Sequence, residues 1–114
     1  MRYAVFIGKE DSAWTITETA GSDSSLLADG KRCRGTTHYF KREIYIDKDL
    51  SPEDKKQVLI HELAHATLYD TQIELKEEYS EENLCDFMAM YGSGIIRVAE
   101  DYLKKRARDE NGNC

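Results

Sequence analysis

The sequence is poor in cysteine and contains no long apolar run. Its three cysteines, in 114 residues, are an odd number and show no C-x-x-C spacing. They fit a reducing compartment better than a disulfide framework. No apolar stretch approaches the roughly 20 residues that span a bilayer, and the first residues do not resemble a secretory signal. These absences predict a cytoplasmic protein that does not enter the membrane.

The sequence also lacks any excess of positive charge. Sixteen Lys and Arg residues stand against twenty-two Asp and Glu residues, which gives a formal net charge of −6. An acidic chain repels nucleic acid and anionic lipid, so we expect neither as a partner. The basic run at 104–106 with Arg108 is the one exception, and it is typical of cations in the last turns of a helix.

The length allows a single domain, which we assign to residues 1–108, followed by a flexible polar tail at 109–114. Aromatic and β-branched residues predict two strands at 3–7 and 14–19 and a hairpin between Arg34 and Asp47. Residues 21–32, rich in Gly, Ser and Asp, predict a loop with at most one helical turn. The first half should therefore form a small, mainly antiparallel sheet.

The second half predicts helices. Ser51 as N-cap and Pro52 at the first helical position predict a helix to about Tyr69. The middle of this helix is apolar nearly all round. The acidic stretch 70–79 predicts a solvated connection. A further helix should follow Ser80 and reach about Arg108, with a kink or break at Gly92-Ser93-Gly94. Its predicted apolar stripe begins with Leu84, Phe87, Met88 and Tyr91. The predicted fold class is α+β, with a small, mainly antiparallel N-terminal sheet packed on a central helix and C-terminal helices.

Histidine is scarce too, and two of the three histidines lie in His61-Glu62-Leu63-Ala64-His65. Four residues apart on a helix, His61 and His65 share a face and could bind one zinc ion. Glu62 points about 100° away from His61, where it could take a proton from metal-bound water. We expect this motif to be mid-helix and largely buried. The alternative is a chance match on a helix surface, which the apolar neighbours argue against.

A catalytic zinc of this type needs a third protein ligand and leaves the fourth position to water. Glu82 and Asp86 lie one turn apart on the next helix, where two like charges disfavour the helix unless a cation lies between them. We predict that Glu82 binds the metal and that Asp86 accepts a hydrogen bond from a ligand histidine. The alternative is that both are solvated acids, and the rival ligands are Glu81, Glu78 and Cys85.

The H-E-x-x-H motif at 61–65 followed by E-x-x-x-D at 82–86 resembles the gluzincin arrangement of thermolysin-like metallopeptidases. The short chain and the strand-like run 43–47 before the motif more closely resemble the ImmA/IrrE family of small peptidases, many of which occur in phages and mobile elements. The resemblance covers residues 34–90. It implies a zinc peptidase with Glu62 as the base, and it implies the metal ligands His61, His65 and Glu82.

These roles predict hydrolysis of a peptide bond in a protein partner. Zinc would activate water and polarise the carbonyl, while Glu62 passes a proton to the leaving amine. The candidate oxyanion stabilisers are His38, Tyr79 and Tyr91. We expect an extended substrate along an edge strand such as 43–47.

The alternative function is a non-enzymatic regulatory or adaptor protein, encoded by a phage or mobile element, that keeps the zinc core for structure. The intact Glu62 favours the enzyme, because structural zinc sites fill all four positions with protein ligands. Nucleic-acid binding through the basic C-terminal helix is the weakest hypothesis because of the net charge.

Overall fold

The structure, a computed structural model, describes residues 2–6, 13–71 and 81–110, with side chains described within 13–71 and 83–107. In chain order the strands are β1 (Arg2–Phe6), β2 (Ala13–Thr19), β3 (Leu27–Ala28), β4 (Lys31–Arg32), β5 (Gly35–His38) and β6 (Glu43–Asp47). The helices are α1 (Pro52–Thr71), α2 (Glu81–Phe87) and α3 (Ser93–Glu110). The α+β fold class is confirmed.

Four strands form the main sheet in the order β1-β2-β6-β5. The outer pairs, β1 with β2 and β5 with β6, are antiparallel, whereas β2 and β6 at the centre are parallel. The sheet is therefore mixed, although two of its three pairings are antiparallel. The predicted hairpin between Arg34 and Asp47 corresponds to β5 and β6. The prediction that 43–47 is an edge strand was wrong, because β6 is paired on both sides and β5 is the edge.

A second, two-stranded ribbon lies in the segment that was predicted to be a loop. A single 3-10 turn at Ser24–Leu26 agrees with the prediction, but β3 and β4 then pair across Asp29 and Gly30. Both turn residues have positive φ, of 52° and 76°. An Asp-Gly pair is the usual two-residue turn of a β-hairpin, so the sequence carried a signal for this ribbon.

Helix α1 begins as predicted, since the backbone N–H of Asp54 donates to Ser51 Oγ at 3.2 Å. It packs one side on β5 and β6 and another on α3. Leu59, Leu63 and Ala66 are fully buried, whereas His61, His65 and Tyr69 remain exposed at intervals of four residues. The helix is therefore not apolar all round. It carries one exposed stripe, and the two motif histidines lie in it.

The second helical run stays helical through Gly92-Ser93-Gly94, where a kink or break was predicted. A π-helical segment, Met88–Gly92, joins α2 to α3, and α3 starts at Ser93 and extends to Glu110. The residues that face the core follow steps of four from Phe87 to Tyr91, Ile95 and Ala99. Each such step overshoots an α-helical turn by about 40°, and a wider π turn absorbs part of that drift. Residues 111–114 of the predicted tail lie outside the described residues.

The apolar core lies between the sheet and the helices. The predicted stripe of the second helix was half wrong: Phe87 is buried and Tyr91 partly buried, but Leu84 and Met88 are exposed. Within the described ranges, no helix combines the length and apolar character needed to cross a membrane. The buried core consists of Trp14, Ile16, Ile44, Ile46, Leu59, Leu63, Ala66, Phe87, Ile95, Ala99 and Tyr102.

Candidate metal centre

The two motif histidines lie side by side on α1. Their Nε2 atoms are 3.2 Å apart, and their ring centroids are 4.9 Å apart with the planes 72° from each other. Two nitrogens that each lie about 2.1 Å from a zinc ion at a tetrahedral angle would be about 3.4 Å apart. The spacing thus fits a shared cation. The expectation that the motif is largely buried was wrong for His61 and His65, which are exposed to solvent.

Glu62, between the histidines in sequence, is held in the interior. Only 7% of its surface is exposed, and Thr37 Oγ1 donates to its Oε1 atom at 2.7 Å. The same hydroxyl lies 3.3 Å from the main-chain oxygen of Glu62. Strand β5 therefore orients this carboxylate while α1 presents the histidines to solvent. The sequence analysis did not identify Thr37.

Gly35 allows β5 to come this close to α1. A Cβ atom at this position would lie 2.5 Å from Val58 Cγ1, 3.1 Å from Glu62 Cγ and 3.3 Å from the main-chain oxygen of Tyr45. Any larger residue would push the strand and the helix apart. Gly35 was also missed, because a lone glycine in a strand pattern does not reveal what approaches it.

The predicted third ligand, Glu82, belongs to the first turn of α2, but its side chain lies outside the described residues. Asp86 is exposed in the last turn of α2 and makes no hydrogen bond to either motif histidine. The rivals Glu78 and Glu81 also lie outside the described side chains, and Cys85 is exposed. Among the described side chains, no cluster of three or more His, Cys, Asp or Glu residues could hold a metal.

The structure places His38 away from Glu62. Its Nε2 atom lies 3.0 Å from the main-chain oxygen of Ser25 and 3.1 Å from Thr36 Oγ1, and its ring packs edge-on against Tyr45. Because side chains alternate along β5, Thr36 and His38 lie on the sheet face opposite Thr37. The predicted oxyanion role of His38 therefore has no geometric support.

Two tyrosines were also named as oxyanion candidates. Tyr91 packs on Phe87 with the ring centroids 5.5 Å apart. Tyr79 lies outside the described residues.

An aromatic cluster adjoins the C-terminal end of the histidine stripe, and the sequence analysis did not foresee it. Tyr69 lies one turn after His65, and its ring packs on Tyr39 (centroids 5.1 Å apart) and edge-on against Trp14 (6.2 Å). The guanidinium of Arg42 lies 5.6 Å from the ring centroids of both Trp14 and Tyr69. These contacts immobilise the Tyr39 and Tyr69 rings beside the motif.

Asp70, at the end of α1, contacts two members of this cluster, Trp14 and Arg42. Its carboxylate is almost fully buried, accepts a 2.7 Å hydrogen bond from Trp14 Nε1 and pairs with Arg42. The prediction that the chain from Asp70 onward is solvated surface was therefore wrong for Asp70. A buried indole N–H needs an acceptor, and the end of α1 supplies it.

Tyr39 is electrostatically coupled to the site. Partial burial raises the pKa of its phenol above the ordinary value, and the negative charge of Glu62 raises this pKa further. Both effects disfavour the phenolate, so the Tyr39 hydroxyl is a neutral hydrogen-bond donor within electrostatic reach of Glu62.

The elements that build this site also define the class of protein. A small mixed sheet presents its edge strand to a helix with H-E-x-x-H, and a family model described as Peptidase_M78, IrrE N-terminal-like domain, matches residues 22–85. The match includes β5, β6 and α1 and covers more than half of the chain. The chain belongs to this peptidase family, which confirms the predicted ImmA/IrrE-like relationship. Comparisons with curated proteins and with solved structures find no match.

Proposed function

We propose that the protein is a zinc-dependent peptidase that cleaves a protein partner. The observation that carries this proposal is the arrangement of the motif on α1. The Nε2 atoms of the exposed His61 and His65 lie 3.2 Å apart, and the Glu62 carboxylate between them in sequence is buried and hydrogen-bonded by Thr37. The peptidase family agrees with it. The non-enzymatic adaptor is not favoured, because a purely structural site has no use for a carboxylate held in this way.

His61 and His65 would hold the ion, with Glu82 as the proposed third ligand and Asp86 as a proposed hydrogen-bond acceptor for a ligand histidine. When bound, zinc supplies Lewis-acid chemistry, polarising a carbonyl and making a bound water easier to ionise. Glu62 takes the proton from the attacking water at its carboxylate and delivers it to the leaving amine. The hydroxyl of Thr37 keeps one carboxylate oxygen in place during both transfers.

We place the substrate along β5 rather than β6. Among the strands that the structure describes, β5 is paired on one side only, so its other edge can add an extended peptide through main-chain hydrogen bonds. Such a peptide would pass beside Glu62, because Thr37 of the same strand already contacts that carboxylate. The expected substrate is therefore an extended, locally unfolded segment of a protein.

The metal claim is tested by elemental analysis after refolding with zinc present. The wild type should hold one equivalent, and His61→Ala or His65→Ala should abolish binding because each removes a ligand nitrogen. His38→Ala is the matched control, since His38 lies on the far face of the sheet, and it should keep the metal. Glu82→Gln should weaken binding more than Glu81→Gln does. A wild type without zinc, or equal loss in His38→Ala, would refute the site.

The catalytic claim is tested by Glu62→Gln. This variant should retain zinc and lose at least about 100-fold in cleavage of an unfolded protein substrate, because a general base contributes about that factor or more. The measurement is a cleavage time course with the metal content of each sample determined in parallel. Unchanged cleavage by zinc-loaded Glu62→Gln would exclude Glu62 as the base.

A further inference from the structure

Tyr39 lies at the end of β5, the strand along which we place the substrate. It is the first residue of the turn that links β5 to β6, and its main-chain oxygen accepts from the N–H of Arg42 at 3.2 Å. It follows Thr37 by two residues, and Thr37 is the residue of β5 that bonds Glu62. Tyr39 itself belongs to the turn, and the packing of its ring on Tyr69 of α1 places it on the helix side of the sheet, the side that carries Glu62.

The ring of Tyr39 packs against helix α1. It packs on Tyr69 at 5.1 Å between centroids, with the planes 33° apart. Tyr69 is the next exposed residue of the stripe on α1 after His61 and His65. Because Tyr39 packs on Tyr69, it lies next to the C-terminal end of the stripe that carries the two motif histidines. About 40% of the surface of Tyr39 remains exposed, so an incoming peptide can reach it.

The charge of Glu62 reaches the Tyr39 phenol. Partial burial and that charge both raise the pKa of Tyr39, so a phenol that is protonated at neutral pH in any case becomes still harder to ionise. A neutral phenol is a hydrogen-bond donor that adds no negative charge beside Glu62. An oxyanion forming next to a carboxylate needs such a donor, and His38 is bonded on the other face of the sheet.

We propose that the hydroxyl of Tyr39 donates a hydrogen bond to the scissile carbonyl oxygen as negative charge develops on it. This role rests on the proposed peptidase function and adds a catalytic residue to it. The hydrogen bond is stronger to the charged tetrahedral oxygen than to the neutral carbonyl, so it accelerates the reaction without tightening substrate binding. No covalent bond to Tyr39 forms, and its proton stays on the phenol.

The test compares Tyr39→Phe with Tyr45→Phe. Tyr45 is the matched control because its ring packs against His38 on the opposite face of the sheet. In zinc-loaded protein, Tyr39→Phe should lower kcat for an unfolded protein substrate about 100-fold with KM unchanged, the usual cost of losing one oxyanion donor. Tyr45→Phe should retain wild-type kcat. Zinc content should match the wild type in both variants, and thermal unfolding should match it in Tyr39→Phe; Tyr45→Phe loses the hydrogen bond from its hydroxyl to Glu43 and should be no more stable than the wild type.

A second readout does not depend on turnover. An N-phosphoryl dipeptide, which carries a tetrahedral oxyanion, should bind Tyr39→Phe much more weakly than the wild type, whereas acetohydroxamate, which carries none, should bind both equally. Equal binding of the phosphoryl probe to both proteins, or no binding to the wild type, would overturn the role of Tyr39. A wild type that binds the probe in a Tyr39-dependent way but cleaves nothing would instead refute the peptidase function.

Discussion

A single hydroxyl connects the sheet to the acid of the motif. Thr37 donates to Glu62 Oε1 at 2.7 Å, and no residue next to Glu62 in sequence makes this contact. A buried carboxylate needs such donors, because an unsatisfied buried polar group costs about 1–3 kcal/mol. The H-E-x-x-H spacing identified Glu62, but nothing in the local pattern identified its donor, which lies 25 residues earlier in the chain.

Replacing Thr37 by Val should therefore lower activity while zinc stays bound. The branched shape is kept and the hydroxyl is lost, so the Glu62 carboxylate is less well oriented, and we expect a loss of about 10-fold in kcat, typical for a group that orients a metal-site residue. The measurement is steady-state cleavage with metal content monitored. Thr37→Ser keeps a hydroxyl and should retain most of the activity. Equal impairment of both variants would show that shape, rather than the hydrogen bond, matters.

At the scale of elements, the distance between β5 and α1 determines the site. Gly35 is the residue at which the strand meets Val58 and Glu62, and two residues later Thr37 makes its hydrogen bond. This close contact is possible because glycine has no side chain, so the hydrophobic pattern of β5 does not predict it. The close approach of the β5 main chain to α1 at Gly35 and the position of the Thr37 hydroxyl next to Glu62 both result from the packing of β5 on α1.

Gly35→Ala should separate the strand from the helix. Its new methyl group would lie 2.5 Å from Val58 Cγ1, so we expect a loss of about 2 kcal/mol in unfolding free energy, together with reduced cleavage. Chemical denaturation measures the first effect. Gly94→Ala is the control, because a Cβ there meets nothing within 4 Å and an alanine in a helix is favoured by about 1 kcal/mol. A Gly35→Ala variant as stable as the wild type would contradict the close packing.

At the scale of the whole molecule, a buried charge network joins the sheet to both long helices. Glu18 of β2 contacts Lys55 of α1 at 2.7 Å and accepts from Tyr102 of α3 at 2.7 Å, and it also pairs with Arg106. Glu18 and Lys55 have side chains that are only 5% exposed. Burial alone would raise the pKa of Glu18, but hydrogen bonds from Lys55, Tyr102 and Arg106 outweigh burial and lower it.

Glu18→Gln should cost about 3 kcal/mol in unfolding free energy, because it leaves buried Lys55 without its counter-charge. The measurement is denaturant unfolding at neutral pH. Glu100→Gln is the control, since it breaks the exposed pair with Lys56 at 3.8 Å and should cost under about 1 kcal/mol. Similar losses of unfolding free energy in Glu18→Gln and Glu100→Gln would contradict the claim that a buried ion pair contributes more to stability than an exposed one.

The same network predicts how stability depends on pH. The folded pKa of Glu18 lies below its ordinary value of 4.5, so its stabilising contribution is complete above that pH. The contribution is lost as the pH falls through the lower, folded value, because protonation removes the ion pairs. The difference in unfolding free energy between the wild type and Glu18→Gln should therefore shrink on acidification below pH 4.5. If this difference in unfolding free energy stayed constant as the pH fell below the folded pKa of Glu18, the pH dependence would not come from Glu18.

Local sequence alone determined the helix start at Ser51, the H-E-x-x-H spacing and the strand pair around residues 34–47, because these depend on neighbours along the chain. The Asp-Gly turn at 29–30 was equally local and could have been predicted. Tertiary structure alone decided the parallel pairing of β2 with β6, the contact between Thr37 and Glu62, and the burial of Asp70 and Glu18. Each of these brings together residues far apart in the chain, and their proximity depends on how sheet and helices pack.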